Sequence, residues 1–366
     1  MIKTKTKTKM KTIIKSNRTF GVEIEFASTV NQTEIASRLK RKFRSIEFEG
    51  ESWNTSTRNY FKIITDSSID SAGGYGLELV TPILKGKKGL NDLRKVLDVL
   101  DSFEEVSVNK SCGIHVHVDV NDSDINGIGR ILKLYSKQSK FIDRILAPSR
   151  RREGGKGKRW AMNLEYASRS NDSRELFNKI DSTIDSTADH YTMNDKVTCI
   201  KDLFRNNPSG VNARYCAVNL DAYRKYGTVE FRQHHASTDS EKISNWVVFV
   251  TNLVDRAVKA KKVFVGETTF ERTFKASKQL LKFASDRAVG FGFEEHRLEE
   301  NIVRVDGKDL AEGVELVKLS NGAFQLFANG NLLDNTMSHF KQFAEQLGID
   351  FTGMNTRRLG QALLSA

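Results

Sequence analysis

Long apolar runs are missing from this chain, and none approaches the roughly 18 residues that a membrane span needs. No transmembrane segment is expected. The opening stretch, MIKTKTKTKMKTIIKSNR, is basic and mostly polar, without the apolar core or small-residue cleavage site of a secretory signal. Cysteine is sparse: Cys112, Cys199 and Cys216 show no paired spacing. That argues against a disulfide scaffold and suits a reducing, cytoplasmic setting. Prolines number only 3. The phosphate-binding loop GxxxxGKS/T is absent, as is GxGxxG after a strand. Nothing matches a zinc finger, the aromatic signature of an RNA-binding sheet or a helix-turn-helix, and no internal repeat is visible.

What is present is the composition of a soluble globular protein, 39% hydrophobic and 28% charged, in 366 residues. That length allows two domains, or one domain with insertions. The formal net charge is +12. Much of it sits in the N-terminal arm, in LKRKFR (residues 39–44) and in PSRRREGGKGKR (residues 148–159). Such an excess favours anionic partners: nucleotides, acidic small molecules or nucleic acid. The stretch 149–159 cannot pack as a core and is expected to be a loop that carries function.

Periodicity predicts strands over residues 18–28, within 46–65, and over 76–84 and 111–120. Residues 215–234 read as two strands joined by RKYG. Helical spacing predicts helices over 31–45, 89–103, 124–147 and 240–260, while 161–210 give no clear pattern. Beyond 262, helices are predicted over 270–284, 288–302 and 333–347, with short strands between. The strands lack the continuous apolar character of a doubly wound sheet. An α+β fold is therefore expected, an antiparallel sheet with helices on one side.

Three of these strands carry ionisable pairs two residues apart: Glu23 and Glu25 in TFGVEIEF, His115 and His117 in CGIHVHVDV, Glu230 and Arg232 in GTVEFRQ. Alternate residues of a strand share a face, so each pair points one way. Paired carboxylates can hold Mg²⁺ or Mn²⁺ that bridges to phosphate. The bland alternative is a solvated strand edge. Glu78, in GLELVTP, is a candidate third acidic ligand, and Asp66 ends the preceding strand. The histidines can contact metal or phosphate or move protons, or form a hydrogen-bonded structural pair. Asp119 continues their face. Glu230 can hold a cation while Arg232 meets a phosphoryl oxygen, or the two can form a same-face salt bridge. Asn219 is a plausible polar contact in the adjoining strand, and His234 and His235 are not placed in the chemistry. Several carboxylates in one hollow need a compensating cation. Two divalent ions with polyphosphate would balance them, as in phosphoryl transfer.

In order along the chain, FGVEIEF, D-S-S-I with GLELVTPIL, CGIHVHVDV and VNLDAYRKYGTVEFRQH resemble the amidoligase family. That family is a branch of the carboxylate–amine ligases related to glutamine synthetase and glutamate–cysteine ligase. The resemblance covers about residues 18–260. It implies a curved, mostly antiparallel sheet of glutamine-synthetase type, with helices on the convex face and the active site on the concave one. It also implies an ATP- and Mg²⁺- or Mn²⁺-dependent enzyme that makes an acyl phosphate on a carboxylate, which an amine converts to an amide. Carried over residue by residue, Glu23, Glu25, Glu78, His117 and Glu230 are metal ligands. His115, His117, Arg151 and Arg232 contact the nucleotide, with Asn219 added from its alternation in the adjoining strand, and Arg232, Glu230 and Arg150 are catalytic. The resemblance places the catalytic domain at 18–262. The basic arm over 1–17 and the region over 263–366, expected from its helical spacing to be mostly helical, are additions that the family does not account for. The implied partners are an acidic or peptide carboxylate and an amine donor, and the basic segments leave open a nucleic acid or protein as the substrate. The rivals are a metal-dependent hydrolase or phosphotransferase on the same scaffold, and a basic nucleic-acid-binding protein with an inert ligase-like fold.

Overall fold

The computed structural model describes residues 14–151, 160–265, 278–292, 304–319, 324–328, 331–332 and 337–366. Most of the N-terminal arm, the basic segment 152–159, and parts of the helices expected over 270–284 and 288–302 lie outside the described residues. The chain divides into two compact units. The first comprises Met1–Gly266 and Phe270–Glu295, and the second comprises Glu267–Thr269 and His296–Ala366.

The first unit is built on one sheet: β1 (Thr19–Ser28), β2 (Phe48–Glu51), β3 (Phe61–Thr65), β4 (Tyr75–Val80), β5 (Leu84–Lys85), β6 (Val106–Ser107), β7 (Gly113–Asp119), β8 (Val218–Asn219) and β9 (Thr228–His235). The strand order is β2-β3-β4-β1-β7-β9-β8, with β5 and β6 also pairing with β1. All these pairs are antiparallel except β2–β3. With helices around this many-stranded sheet, the fold is α+β, as expected.

Alternation decides which face is which. Val22, Ile24 and Phe26 on β1, Ile114, Val116 and Val118 on β7, and Leu77 and Leu79 on β4 are almost fully buried. The helix Ser240–Lys259 packs on β7 and brings Trp246 and Val250 into this core. Asp239 caps that helix by accepting from the backbone N–H groups of Glu241 and Lys242. The helix Gly86–Leu100 packs beside it and buries Leu93, Val96, Leu97 and Leu100, the residues its apolar spacing picked out. The opposite face of the sheet carries the charged pairs.

Two local expectations are corrected. Residues 215–226 do not form a long strand. Only Val218–Asn219 is strand, and Asp221–Tyr226 is a helix. Gly227 ends that helix at φ +64, where a Cβ would collide with the Asn121 side chain at 2.1 Å. Only glycine fits this turn into β9. Residues 124–147 form two helices, Ile125–Lys137 and Ser139–Ile145, divided at Gln138. The unassigned stretch 161–210 holds helices Leu164–Ala167, Ser173–Asp185 and Met193–Asp202, the last opened by a Thr192–Asp195 capping box.

The helix Lys278–Gly290 belongs to the first unit, whereas the sequence reading placed it beyond a boundary at 262. Its Arg287 bonds the Ile145 carbonyl and the His235 ring. The second unit, expected to be mostly helical, also contains an antiparallel sheet: β10 (Arg304–Ala311), β11 (Val314–Leu319), β12 (Phe324–Ala328) and β13 (Asn331–Leu332). With the helices Met337–Gln346 and Thr356–Ser365 it encloses a small core of Leu316, Phe324, Leu326, Phe340, Leu359 and Leu363. Among the described residues no helix is long and apolar enough to cross a membrane.

Candidate functional site

Register turns the three sequence pairs into one cluster. Glu23 lies opposite His115, and Glu25 lies opposite Glu78. His117 lies opposite Glu230, which in turn lies opposite Asn219. Directly opposed residues sit about 4.5–5.5 Å apart at Cβ, so these side chains meet. His115 Nδ1 is 3.1 Å from Glu23 Oε2 and 3.6 Å from Glu230 Oε1, while its Nε2 is 3.5 Å from Glu25 Oε1. His117 Nε2 lies 3.3 Å from Glu23 Oε1. That nitrogen is buried and makes no hydrogen bond, while Nδ1 lies 3.2 Å from Thr228 Oγ1. Arg232 donates from Nη1 to Glu230 Oε1, and Asn219 donates to Glu230 Oε2 at 2.6 Å. Glu230 and Arg232 therefore do form a same-face ion pair, and it lies inside the cluster.

Arg150 reaches the site by a different route. It ends the short 3₁₀ turn Pro148–Arg150, and its buried guanidinium donates to the carbonyls of Cys112 and Ser111 at 2.6 and 3.3 Å. It lies over Gly113: a Cβ there would sit 3.1 Å from Nη2, 3.2 Å from Nη1 and 3.3 Å from His115 Nε2. The glycine of CGIHVHVDV makes that space, and its N–H donates to Glu25 Oε2 at 2.6 Å. Arg151, expected to act beside Arg150, instead donates to the Leu146 carbonyl and lies over the Phe291 ring, and it does not line the cavity.

A bulge re-aims the end of β9. Between the pairs Ile114–His234 and Val116–Phe231, Arg232 and Gln233 both oppose His115. A bulge of this kind shifts the alternation by one residue. His234 thereby leaves the face of Glu230 and Arg232 and is buried against Trp246, with ring centroids 5.1 Å apart.

The electrostatics follow from this crowding. Desolvation would raise Glu23, but His117 and His115 hold its carboxyl well below the usual carboxylate range. Glu78 goes the other way: burial, and then the charges of Glu23, Glu25 and Asp66, push it well above that range. Burial would lower His117, but Glu23 and Glu230 raise it. Burial would raise Glu230, yet Arg232 and then the two histidines lower it. Burial lowers Arg150, against the pull of Glu25. Like charge gathered this closely is relieved by a cation.

Two donor groups can hold one: Glu23, His117 and Glu230, and Glu23, Glu78 and His115. Within each group the donor atoms lie within 4.8 Å of one another, and Glu23 is common to both. Two carboxylates to one imidazole is a set that Mg²⁺ or Mn²⁺ accepts. The unused Nε2 of His117 and the mutual repulsion at Glu78 fit such an ion.

The cluster floors a cavity of about 690 Å³, of a size that holds a cofactor or small ligand. Its wall includes side chains the sequence reading missed. Lys62 on β3 is buried, and its Nζ donates to the Asn54 carbonyl, Asn54 Oδ1 and the Ser56 carbonyl at 3.1, 2.8 and 2.9 Å. The signal was there, because Lys62 alternates with Phe61 and Ile63 in NYFKIITD as Glu23 does with Val22 and Ile24. Trp160 packs edge-on against Tyr215 at 4.8 Å, and Arg232 lies over the same Tyr215 ring at 5.7 Å. No local pattern marks these two aromatics as partners: Trp160 follows the basic stretch 148–159, ahead of 161–210, and Tyr215 opens the segment read as strand.

A family model described as "Putative amidoligase enzyme" matches residues 16–254. No curated protein matches the chain. Among solved structures, the crystal structure of a bifunctional glutathione synthetase from Pasteurella multocida is similar at 13% identity, with a TM-score of 0.34. The match covers 90% of this chain and 62% of that one, so the chain spans less than two thirds of that protein's length.

Proposed function

The chain belongs to the amidoligase family, and on that premise we propose that it is an ATP-dependent carbon–nitrogen ligase. It joins a carboxylate to an amine through an acyl phosphate. The observation that supports this most is the sharing of Glu23 by two donor groups, with Arg232 and Arg150 on the same cavity wall. Two cation positions beside two guanidinium groups suit a triphosphate meeting a carboxylate, where anionic charge must be neutralised before the reactants can approach. In this reading the sheet is the curved sheet of the glutamine-synthetase type, and the first unit, which includes the helix Lys278–Gly290, is the catalytic domain.

Glu23, Glu78, His115, His117 and Glu230, the donors of the two groups, would hold Mg²⁺ or Mn²⁺, with Glu25 completing the set beside them. Bound there, the metal supplies charge neutralisation and polarisation of the phosphoryl oxygens. Arg232 meets the transferring phosphoryl group, and Glu230 and Asn219 fix its approach. Arg150, braced by two carbonyls, orients the substrate carboxylate. His115 bridges Glu23, Glu25 and Glu230 and sets the spacing of the acids. A carboxylate oxygen attacks the γ-phosphorus and ADP leaves. The amine then attacks the acyl carbon, phosphate leaves with the oxygen, and the amine nitrogen loses a proton. Alignment of the reactants is the main contribution asked of the protein.

Incubation with ATP, Mg²⁺ or Mn²⁺ and a panel of carboxylates and amines tests this. ADP and phosphate should appear in step with a condensed product. Glu25→Gln, which keeps an acceptor for the Gly113 N–H, and Arg232→Ala should both abolish it. Phosphate release that needs no amine would instead favour a hydrolase or phosphotransferase, and full turnover in either variant would remove the residue assignment.

A further inference from the structure

One side of the cavity is formed by the connection from β2 to β3. Parallel neighbours require a chain return along their whole length. Here residues 52–60 make that return along the cavity side, and 53–58 with Tyr60 line it. The strap is braced throughout. Glu51 accepts from Asn54 Nδ2 at 2.7 Å, from Arg58 Nε and Nη2 at 3.1 Å each, and from the Tyr60 hydroxyl at 2.5 Å. Lys62 grips the Asn54 and Ser56 carbonyls from below. From the end of the helix Asp221–Tyr226, ahead of β9, Lys225 and the Tyr226 hydroxyl both donate to the Thr55 carbonyl. The charged groups of the strap and its anchors are thus taken up in holding it. What it offers the cavity is the indole of Trp53, 65% exposed. Pro82 and Ile83, which follow β4, line the same cavity, and Ile83 is 66% exposed. A large apolar side chain held in water on a braced segment, continuous with a charged centre, is the layout of a binding site rather than of a core.

We propose that Trp53 forms the apolar wall of a subsite in this cavity that receives an aromatic or large branched aliphatic side chain on one of the two substrates the enzyme joins. Trp53 is thereby a specificity-determining residue. This rests on the ligase reading for the identity of the substrates, but the subsite is readable by binding alone.

The full chain is titrated with N-acetyl-L-phenylalanine and L-phenylalaninamide, and with their alanine counterparts. Binding is followed by calorimetry and by the Trp53 contribution to emission, taken as wild type minus Trp53→Phe. At least one phenylalanine compound should bind about 10-fold more tightly than its alanine counterpart, the scale expected for burying one such side chain. Trp53→Ala should erase that preference, weakening the phenylalanine compound far more than the alanine compound, and Trp53→Phe should retain most of it. Equal affinities for phenylalanine and alanine compounds in the wild type, or an equal loss for both in Trp53→Ala, would overturn the proposal. Preference without any amine-dependent ADP release would leave the subsite standing and remove the ligase reading. Amine-dependent ADP release without the preference would do the reverse.

Discussion

Acidification should weaken the first unit through His235. This ring sits between the Ala147 N–H, 3.3 Å from Nδ1, and Arg287 Nη2, 3.0 Å from Nε2, and it stacks on His234 with centroids 4.5 Å apart. Burial first, and then the positive charges of Arg287, Arg150 and Lys242, hold it down to about 3. In the unfolded chain a histidine titrates near 6.5. Between those values the unfolded chain binds a proton that the folded one refuses, so stability is full above about pH 6.5 and falls as pH drops toward 3. The slope is about 1.4 kcal/mol per pH unit, so His235 alone removes roughly 2 kcal/mol between pH 7.5 and pH 5. That is a sizeable part of a typical 5–15 kcal/mol. His234, held well below its ordinary value by burial and by His235, acts in the same direction. The assay is urea denaturation at both pH values, followed by tryptophan emission. All three tryptophans, Trp53, Trp160 and Trp246, lie in the first unit. The perturbation is His235→Gln, which keeps an acceptor for Arg287 but does not titrate. The wild type should lose about 2 kcal/mol more than the variant over this interval. Contributions from the carboxylates of the site are common to both proteins and cancel in the difference. Equal losses would refute the assignment of a neutral, cation-flanked His235.

Glu78→Gln removes one of the mutually repelling carboxylates, so without divalent ions the protein should become more stable, by on the order of 1 kcal/mol. Its affinity for Mn²⁺ should fall at the same time. Thermal melting in EDTA and calorimetric Mn²⁺ titration check both, and a destabilised variant with unchanged Mn²⁺ affinity would count against the donor groups. Gly113→Ala presses a methyl on the Arg150 guanidinium at 3.1–3.2 Å. Turnover should drop about 10-fold or more from the displaced arginine, with the melting temperature little changed. Unaltered turnover would show that the arginine's position over Gly113 is not needed. Trp246→Ala, in a side chain with 0% exposure, should cost about 3–5 kcal/mol, read by the same urea denaturation, and a smaller loss would mean this part of the core can collapse into the space.

The alternation of Glu23 and Glu25 with Val22, Ile24 and Phe26, and of His115 and His117 with Ile114, Val116 and Val118, was legible in the sequence. A strand allows only two faces, and the apolar one must be buried. That rule, applied strand by strand, was enough to foresee a charged sheet face and most of the cluster on it. The same rule fails at His234, which by spacing belongs with Glu230 and Arg232. Only the pairing of β9 with β7 creates the bulge that turns it into the core. It cannot reach Arg150 either, which arrives from a 3₁₀ turn and is admitted because the strand beside it has a glycine. Nor can it foresee the strap bearing Trp53, which exists because β2 and β3 run parallel. Local periodicity determines which way a side chain faces. Which side chains then meet is decided by register, bulges and strand order, and those are set by the packing of the whole sheet.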